Sequence, residues 1–409
     1  MKKNLIRLAV FLLCAVLALS LFLPDGAKPF SLLLPRISPL LSFAGALGAR
    51  RFAGCLCLFG VPLLLLAFFK QRWFCWHLCP MGFAAEMAGK LNKRGMGRIR
   101  RVPTLNKALA LLVAGSAVAG YPLLLWLDPL CIFNGFFAAF RKPFLWTSCA
   151  TAAGFVLILI VSVAVPNIWC HRLCPLGGLQ ELLGMPWKRF KSRKNAQKTA
   201  SGNTPPSPLD TRASRRLFLG ILGSGVAGAG ARAALGGGGE SSVLRPPGAV
   251  KRSFNALCAR CGNCMRACPY GLLVPDLGKS GIDGLCTPVV AFRHLDPYQE
   301  QYCFQDCKAC TEVCPTGALV PLTVEQKHKK PVGIAVVDQG KCVAWAEKQY
   351  CVVCQEYCPY QAVVEVERNG VMCPEIDAAK CRGCGACESA CPADPIAIIV
   401  TPCPGGSGK

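Results

Sequence analysis

Cysteine dominates the chemistry available to this chain: 28 of its 409 residues, nineteen of them after residue 250. Sixteen of those nineteen sort into four groups. Group one is Cys258-x2-Cys261-x2-Cys264-x3-Cys268-Pro269, and group four repeats that spacing with Cys381, Cys384, Cys387 and Cys391, then Pro392. Group two is Cys303-x3-Cys307-x2-Cys310-x3-Cys314-Pro315, and group three is Cys342-x8-Cys351-x2-Cys354-x3-Cys358-Pro359. A cubane [4Fe–4S] cluster needs four thiolates converging from different directions. The tight C-x2-C-x2-C loop wraps three irons and turns backbone N–H groups toward the sulfides. The fourth cysteine, followed by proline, is carried to the other cluster of a pair. Four groups imply four [4Fe–4S] clusters with these sixteen cysteines as metal ligands. Zinc takes C-x2-C pairs too, but leaves the third cysteine and the Cys-Pro unexplained. A disulfide framework does not need the repeated spacing. The matched spacings favour nested pairing, group one with four and two with three. Cys391 then completes the first cluster, Cys358 the second, Cys314 the third and Cys268 the fourth. Sequential pairing uses the same sixteen ligands with other partners.

A second pattern lies in the first half: Cys75-Trp-His-Leu-Cys79-Pro80-Met-Gly and Cys170-His-Arg-Leu-Cys174-Pro175-Leu-Gly. Cys75, Cys79, Cys170 and Cys174 together suit one further cluster or another redox centre; structural turns or zinc are the competing readings. His77 and His171 are ligands, quinol proton acceptors or neither. No Cys-x-x-Cys-His is present, so covalent haem is not signalled. Cys14, Cys55, Cys57, Cys131 and Cys149 read as small apolar residues, and Cys286, Cys373 and Cys403 have no assigned role. No phosphate-binding glycine loop, dinucleotide fingerprint or catalytic residue is signalled.

The elements that carry these motifs divide by charge. Residues 1–216 hold 28 Lys+Arg against 5 Asp+Glu, net +23, whereas residues 217–409 are net +1. The first half also holds four apolar runs without a charged residue or histidine: Leu8–Pro24, Phe52–Phe69, Ala108–Leu127 and Phe144–Pro166. Each approaches the roughly 20 residues that cross a bilayer. Phe30–Ala49 is apolar but interrupted by Pro35, Arg36 and Pro39, and reads as an interfacial loop. Basic residues concentrate before the first run, in the 70–107 loop and after the fourth run, which places those segments and both Cys-x3-Cys-Pro motifs on the cytoplasmic side. The charge is thus a topology signal rather than a nucleic-acid footprint.

Residues 1–187 therefore read as a four-helix membrane domain and 188–213 as a basic, Ser/Pro-rich cytoplasmic linker. Residues 214–239 read as a twin-arginine-like export signal (Arg215, Arg216), with Ala231-Arg-Ala233 as a cleavage-site form, or a fifth spanning segment, ending in a Gly linker. Residues 250–409 read as a four-cluster ferredoxin domain outside the cytoplasm. The β-rich stretches Val332–Asp338 and Ala362–Glu367 suit an α+β, ferredoxin-like fold for it. The expected fold class is multi-domain: four transmembrane helices plus the twin-arginine-like apolar segment, then the α+β polyferredoxin. The expected location is the bacterial inner (cytoplasmic) membrane, multi-pass, with a periplasmic C-terminal domain.

Helices carrying two Cys-x3-Cys-Pro motifs resemble the NapH/NosR-type membrane ferredoxins. The four-cluster module, with its x8 spacing, resembles the NapG/MauM-type polyferredoxins. The chain looks like a fusion of the two. The resemblance implies electron delivery from the quinol pool to a periplasmic oxidoreductase or carrier, in the best-known case a nitrate reductase system, by a component rather than a stand-alone enzyme. A redox maturation factor for a periplasmic metalloenzyme is the alternative; a sensor would need an output domain that is not evident. Unlike those membrane ferredoxins, this chain has no cluster motif on its cytoplasmic linker, and its export-like signal is internal.

Overall fold

The computed structural model describes residues 2–19, 33–50, 60–92, 103–138, 146–199, 208–235, 243–250, 253–281, 283–292, 301–368 and 370–403. The apolar runs do not become spanning helices. The first lies in α1 (Lys2–Leu19), 18 residues that include Lys2, Lys3 and Arg7. The second gives α3 (Gly60–Phe69), ten residues, while 52–59, with Cys55 and Cys57, lie outside the described residues. The third gives α5 (Asn106–Val118), 13 residues. It stops at Gly120, whose φ is +79°, and Pro122 follows. The fourth gives α7 (Trp146–Ala164), 19 residues. At 1.5 Å per residue a span needs about 20 apolar residues, and no helix among the described residues is long and apolar enough to cross a membrane. This finding overturns the expected four-span membrane domain and the multi-pass inner-membrane location. The sidedness of the loops and the periplasmic placement of the C-terminal module rest on those spans and fall with them.

Two local expectations change for related reasons. Pro39 does not break the Phe30–Ala49 stretch but starts a helix, α2 (Pro39–Ala49), whose cap Ser38 accepts a bond from Leu41 N–H. Proline is preorganised for the first helical position, where its missing N–H has no partner to lose. The Arg215–Arg216 segment lies inside α9 (Pro208–Leu235), an unbroken 28-residue helix that packs on α5 and also carries Asp210, Arg212 and Arg232. It supports neither an export signal nor a fifth span. The basic run after Lys188 continues α8 (Pro175–Thr199) through Pro186, and residues 200–207 and 236–239 of the expected linkers lie outside the described residues.

Two compact units divide the chain: residues 1–236, 255–262 and 315–318 form the first, and 237–254, 263–314 and 319–409 the second. Among its described residues the regular elements of the first are all helices. α4 (Pro80–Lys90) and α6 (Pro129–Ala138) complete its helices, around a core that includes Leu40, Met81, Val113, Leu125, Phe133 and Leu176. A polar tie runs through that core. Asp128 is fully buried; its Oδ1 caps α6 by accepting Leu130 N–H at 2.9 Å and Cys131 N–H at 3.1 Å, and Ser38 Oγ donates to its Oδ2. Burial pushes the Asp128 carboxyl up to about 6 despite these bonds.

This has a consequence for pH. Between about 3.9, the unfolded value, and 6 the folded state binds more protons than the unfolded one, so stability falls as pH rises through that window and is level above it. The two-unit shift is worth about 3 kcal/mol. Asp128→Asn keeps an acceptor for the cap and is expected to abolish this slope, measured by denaturation between pH 4 and 7. An unchanged slope would assign the pH dependence elsewhere.

The second unit has short helices and three two-stranded antiparallel sheets: β1 (Leu273–Pro275) with β2 (Pro288–Val290), β3 (Ile334–Val337) with β6 (Ile398–Thr401), and β4 (Val363–Arg368) with β5 (Val371–Ile376). Its sheet content is small, and isolated ribbons of two strands are marginal in water. Its core interleaves Leu272, Val363, Ala344 and Ile398 with cysteines, among them Cys268, Cys342, Cys354, Cys381, Cys387 and Cys391. Such a core depends on what the cysteines hold, because metal binding then becomes folding free energy.

Candidate metal centres

In the first unit the two Cys-x3-Cys-Pro motifs fold as a structural repeat. Each is preceded, three residues before its first cysteine, by a left-handed non-glycine residue: Arg72, φ +57°, and Asn167, φ +62°. Each second cysteine, Cys79 and Cys174, has extended backbone (ψ 112° and 116°), and a proline follows as the first residue of a helix, α4 or α8. The Cys79 sulfur accepts the Gly82 N–H at 3.4 Å, and the Gly177 N–H serves Cys174 in the same way. A Cβ at Gly82 would lie 3.1 Å from Cys75 O, and one at Gly177 3.2 Å from Cys170 O. The glycine of each Cys-Pro-x-Gly lets the two ends of its motif close on each other.

The repeat brings all four cysteines together. The Cys79 thiol is raised well above its usual range by burial, then by the proximity of Cys75, Cys170 and Cys174. Burial, and then Cys170, pushes Cys75 up to about 12. Burial takes Cys170 to about 11, with Arg72 acting in the opposite direction. Gln180 Nε2 donates to Cys75 Sγ at 3.4 Å. Four mutually repelling thiols in one buried place suit a cationic metal centre that takes them as thiolates. Cys79 and Cys174 are buried, while Cys75 and Cys170 face an open cavity lined also by Trp76, Glu86, Arg7, Arg72 and His171.

The histidines separate here. His171 Nδ1 lies 3.0 Å from Arg72 Nη1 at the edge of that cavity, and burial followed by the Arg72 charge lowers its basicity. Arg72 in turn pairs with Glu181 at 2.7 Å. His77 instead stacks on Trp73 one helical turn away, with Nδ1 3.0 Å from Trp73 O. That is a local packing role.

The second unit contains three cradles, each with four cysteines around an otherwise mostly apolar cavity. Cys303, Cys307 and Cys310 are joined by Cys268, with Tyr270, Phe304 and Val290, around about 440 Å³. Cys342, Cys351 and Cys354 are joined by Cys391 around about 380 Å³. Cys381, Cys384 and Cys387 are joined by Cys358 around about 330 Å³. In these three cradles the fourth cysteine comes from the neighbouring group, Cys268 beside group two, Cys391 beside group three and Cys358 beside group four, which is the sequential and not the nested arrangement. Cys354 lies within the one-turn helix Val353–Glu356 and Cys358 follows it; Cys387 lies within Ala386–Ala390 and Cys391 follows it. The last cysteine of each group thus leaves its own loop just past a short helix. Burial and then neighbouring cysteines push Cys354 up to about 12; burial pushes Cys384 equally far, with Cys358, Cys303 and Cys381 adding to it.

Group one is divided between the units, with Cys258 and Cys261 in the first and Cys264 and Cys268 in the second. Within the second, Asn263–Ala267 packs against Ala309–Glu312, and Asn263 Nδ2 bonds Val313 O at 3.4 Å, which places Cys264 near the segment of Cys314. The second and fourth groups are neighbours, since Cys303 N–H donates to Cys384 O at 2.8 Å.

Among the described residues no three His, Cys, Asp or Glu side chains converge closely enough to hold a single metal ion. Cysteines spread around a cavity suit a polynuclear cluster.

Known proteins agree with this chemistry. A 4Fe–4S binding domain model matches residues 52–98 and again 148–195, one copy over each Cys-x3-Cys-Pro motif, and a second 4Fe–4S binding domain model matches 374–397. The methylamine utilization ferredoxin-type protein MauM of Methylophilus methylotrophus is 36% identical over 179 residues, 40% of this chain and 72% of that protein. The ferredoxin-type protein NapG of Escherichia coli is 35% identical over 172 residues, 39% of this chain and 70% of its own length. This chain belongs to the MauM/NapG ferredoxin-type proteins. The E. coli ferredoxin-type protein NapF is 28% identical over 158 residues, 38% of this chain and 84% of that protein. No solved structure matches. As a member of this family the chain is an iron–sulfur electron-transfer protein.

Gln180 and Glu181, which bond Cys75 and Arg72, carry no sequence signal, because each meets its partner from more than 100 residues away. The Cys-Pro-x-Gly glycines are the exception, since the same offset occurs twice.

Proposed function

We propose that the sixteen grouped cysteines hold four [4Fe–4S] clusters and that Cys75, Cys79, Cys170 and Cys174 hold a fifth redox centre. Bound clusters supply one-electron steps, at potentials set by burial, net charge and hydrogen bonds to sulfur. Residues 1–187 act as the donor-binding module, 188–239 as the connecting segment and 250–409 as the cluster-bearing module. The donor is a quinol received by the cavity at Cys75 and Cys170. Trp76 offers a ring face there, and His171 a nitrogen at the cavity edge. The acceptor is an oxidoreductase, of nitrate-reductase type on the resemblance to NapG. The observation that carries this reading is the gathering of four cysteines at each of three cradles and at the duplicated motif.

Iron and sulfide analysis of anaerobically purified protein is expected to give about twenty irons per chain, five clusters of four. An EPR-monitored titration should resolve several one-electron signals, and a short-chain soluble quinol should reduce part of them. Zinc in place of iron, or about sixteen irons with no response to quinol, would remove the cluster reading or the donor site respectively.

A further inference from the structure

One buried cation in the second unit lies against a cluster cradle. Lys327 belongs to the short helix Val324–Lys329, which a capping box formed by Thr323 and Gln326 fixes at its start. Its side chain turns inward, and the residue is only 5% exposed. Its ammonium donates to Phe304 O and, at 2.7 Å, to Cys307 O, and its charge acts on the neighbouring Cys303 thiol, opposing the upward push of burial. Both bonds fall on the loop that carries three of the four cysteines of one cradle. No carboxylate pairs with Lys327 among the described residues. Arg382 of the fourth group bonds backbone oxygens, at Ala379 and Cys381.

A buried positive charge stabilises the form of a neighbouring centre that carries the extra electron, and a donor to a ligand sulfur acts in the same direction. We propose that Lys327 raises the reduction potential of the cluster held by Cys268, Cys303, Cys307 and Cys310. The step is a single electron gained by that cluster from its neighbour, which is oxidised by one electron, with no proton transferred. The contact from Cys303 to Cys384 supplies the neighbour, the fourth group. The inference rests on the cluster reading above.

The test uses the full-length protein loaded with clusters. The signal of this cradle is first assigned as the one lost in Cys307→Ser. Lys327→Met removes the charge and the donors; Lys327→Gln removes the charge and keeps a donor for the carbonyls. Both are expected to lower the midpoint of the assigned signal by at least 59 mV, a tenfold shift in the ratio of reduced to oxidised cluster for one electron. Iron content and the other midpoints should stay as in the parent, and Lys327→Arg should restore the midpoint. Full iron content with an unmoved midpoint in either neutral variant overturns the proposal. Loss of the cluster from both neutral variants overturns it too, because the lysine is then a staple for the loop. Absence of clusters from the parent protein would instead sink the cluster reading itself.

Discussion

The double variant Cys79→Ser, Cys174→Ser is expected to lose about four irons per chain and all reduction by a soluble quinol, while the EPR signals of the second unit persist. Cys79 is buried and caps α4 through the Gly82 N–H, and Cys174 occupies the matching place before α8. Serine is among the preferred caps, and its oxygen takes over that bond, so helix stability should change by less than about 1 kcal/mol. What serine does not supply is a soft thiolate, and two of the four donors disappear together. The remaining pair, Cys75 and Cys170, lies on the cavity side and cannot enclose a cluster. Iron analysis, EPR and a urea titration followed by helix content check the three parts separately. Unchanged iron would mean that the duplicated motif is a structural turn. A large loss of helix would mean that these cysteines serve the fold first.

The second large effect is expected from Gly383→Ala. Gly383 lies between Cys381 and Cys384 in the fourth group with φ +62°. A Cβ there would lie 2.4 Å from Gly333 O and 2.5 Å from Gly333 N, backbone atoms that cannot rotate aside. Arg382 O accepts the Val332 N–H at 3.0 Å, so the cysteine loop and the entry to β3 are bound at this point. Left-handed backbone costs alanine about 1 kcal/mol, and the clash raises the total above about 3 kcal/mol, in the range seen for severe core changes. The cradle of Cys358, Cys381, Cys384 and Cys387 should fail to hold its cluster. Gly370→Ala is the control: φ is +80°, yet nothing lies within 4 Å of the added Cβ, so only the backbone cost of about 1 kcal/mol applies. Thermal loss of cluster absorbance under anaerobic conditions compares the two. Equal behaviour would show that the close approach at Gly333 relaxes freely.

Much of the chemistry is legible in the residues themselves. Metal ligation depends on residue type and short spacing, so the four cysteine groups, the following prolines and the duplicated Cys-x3-Cys-Pro-x-Gly are visible without coordinates. Local backbone needs are visible too, since a cysteine before proline is biased to extended backbone and the proline then starts a helix. The β-rich stretches near 334 and 363 are strands for the same local reason.

Other properties depend on which segments meet. Spacing favours nested exchange, but the chain packs Cys268, Cys358 and Cys391 into the cradles of neighbouring groups, the sequential arrangement. Apolar composition measures how much surface a run must bury and not what buries it. Here Gly120 and Pro122 end the third run's helix at 13 residues, and α5 packs against α8 and α9. The same limit hides Gln180 and Lys327: each reaches its cysteines from a distant part of the chain. The sequence by itself determines that this protein gathers thiolates for iron–sulfur chemistry. Only the tertiary structure decides which thiolates share a cradle and which buried charge stands beside it, because both follow from long-range packing.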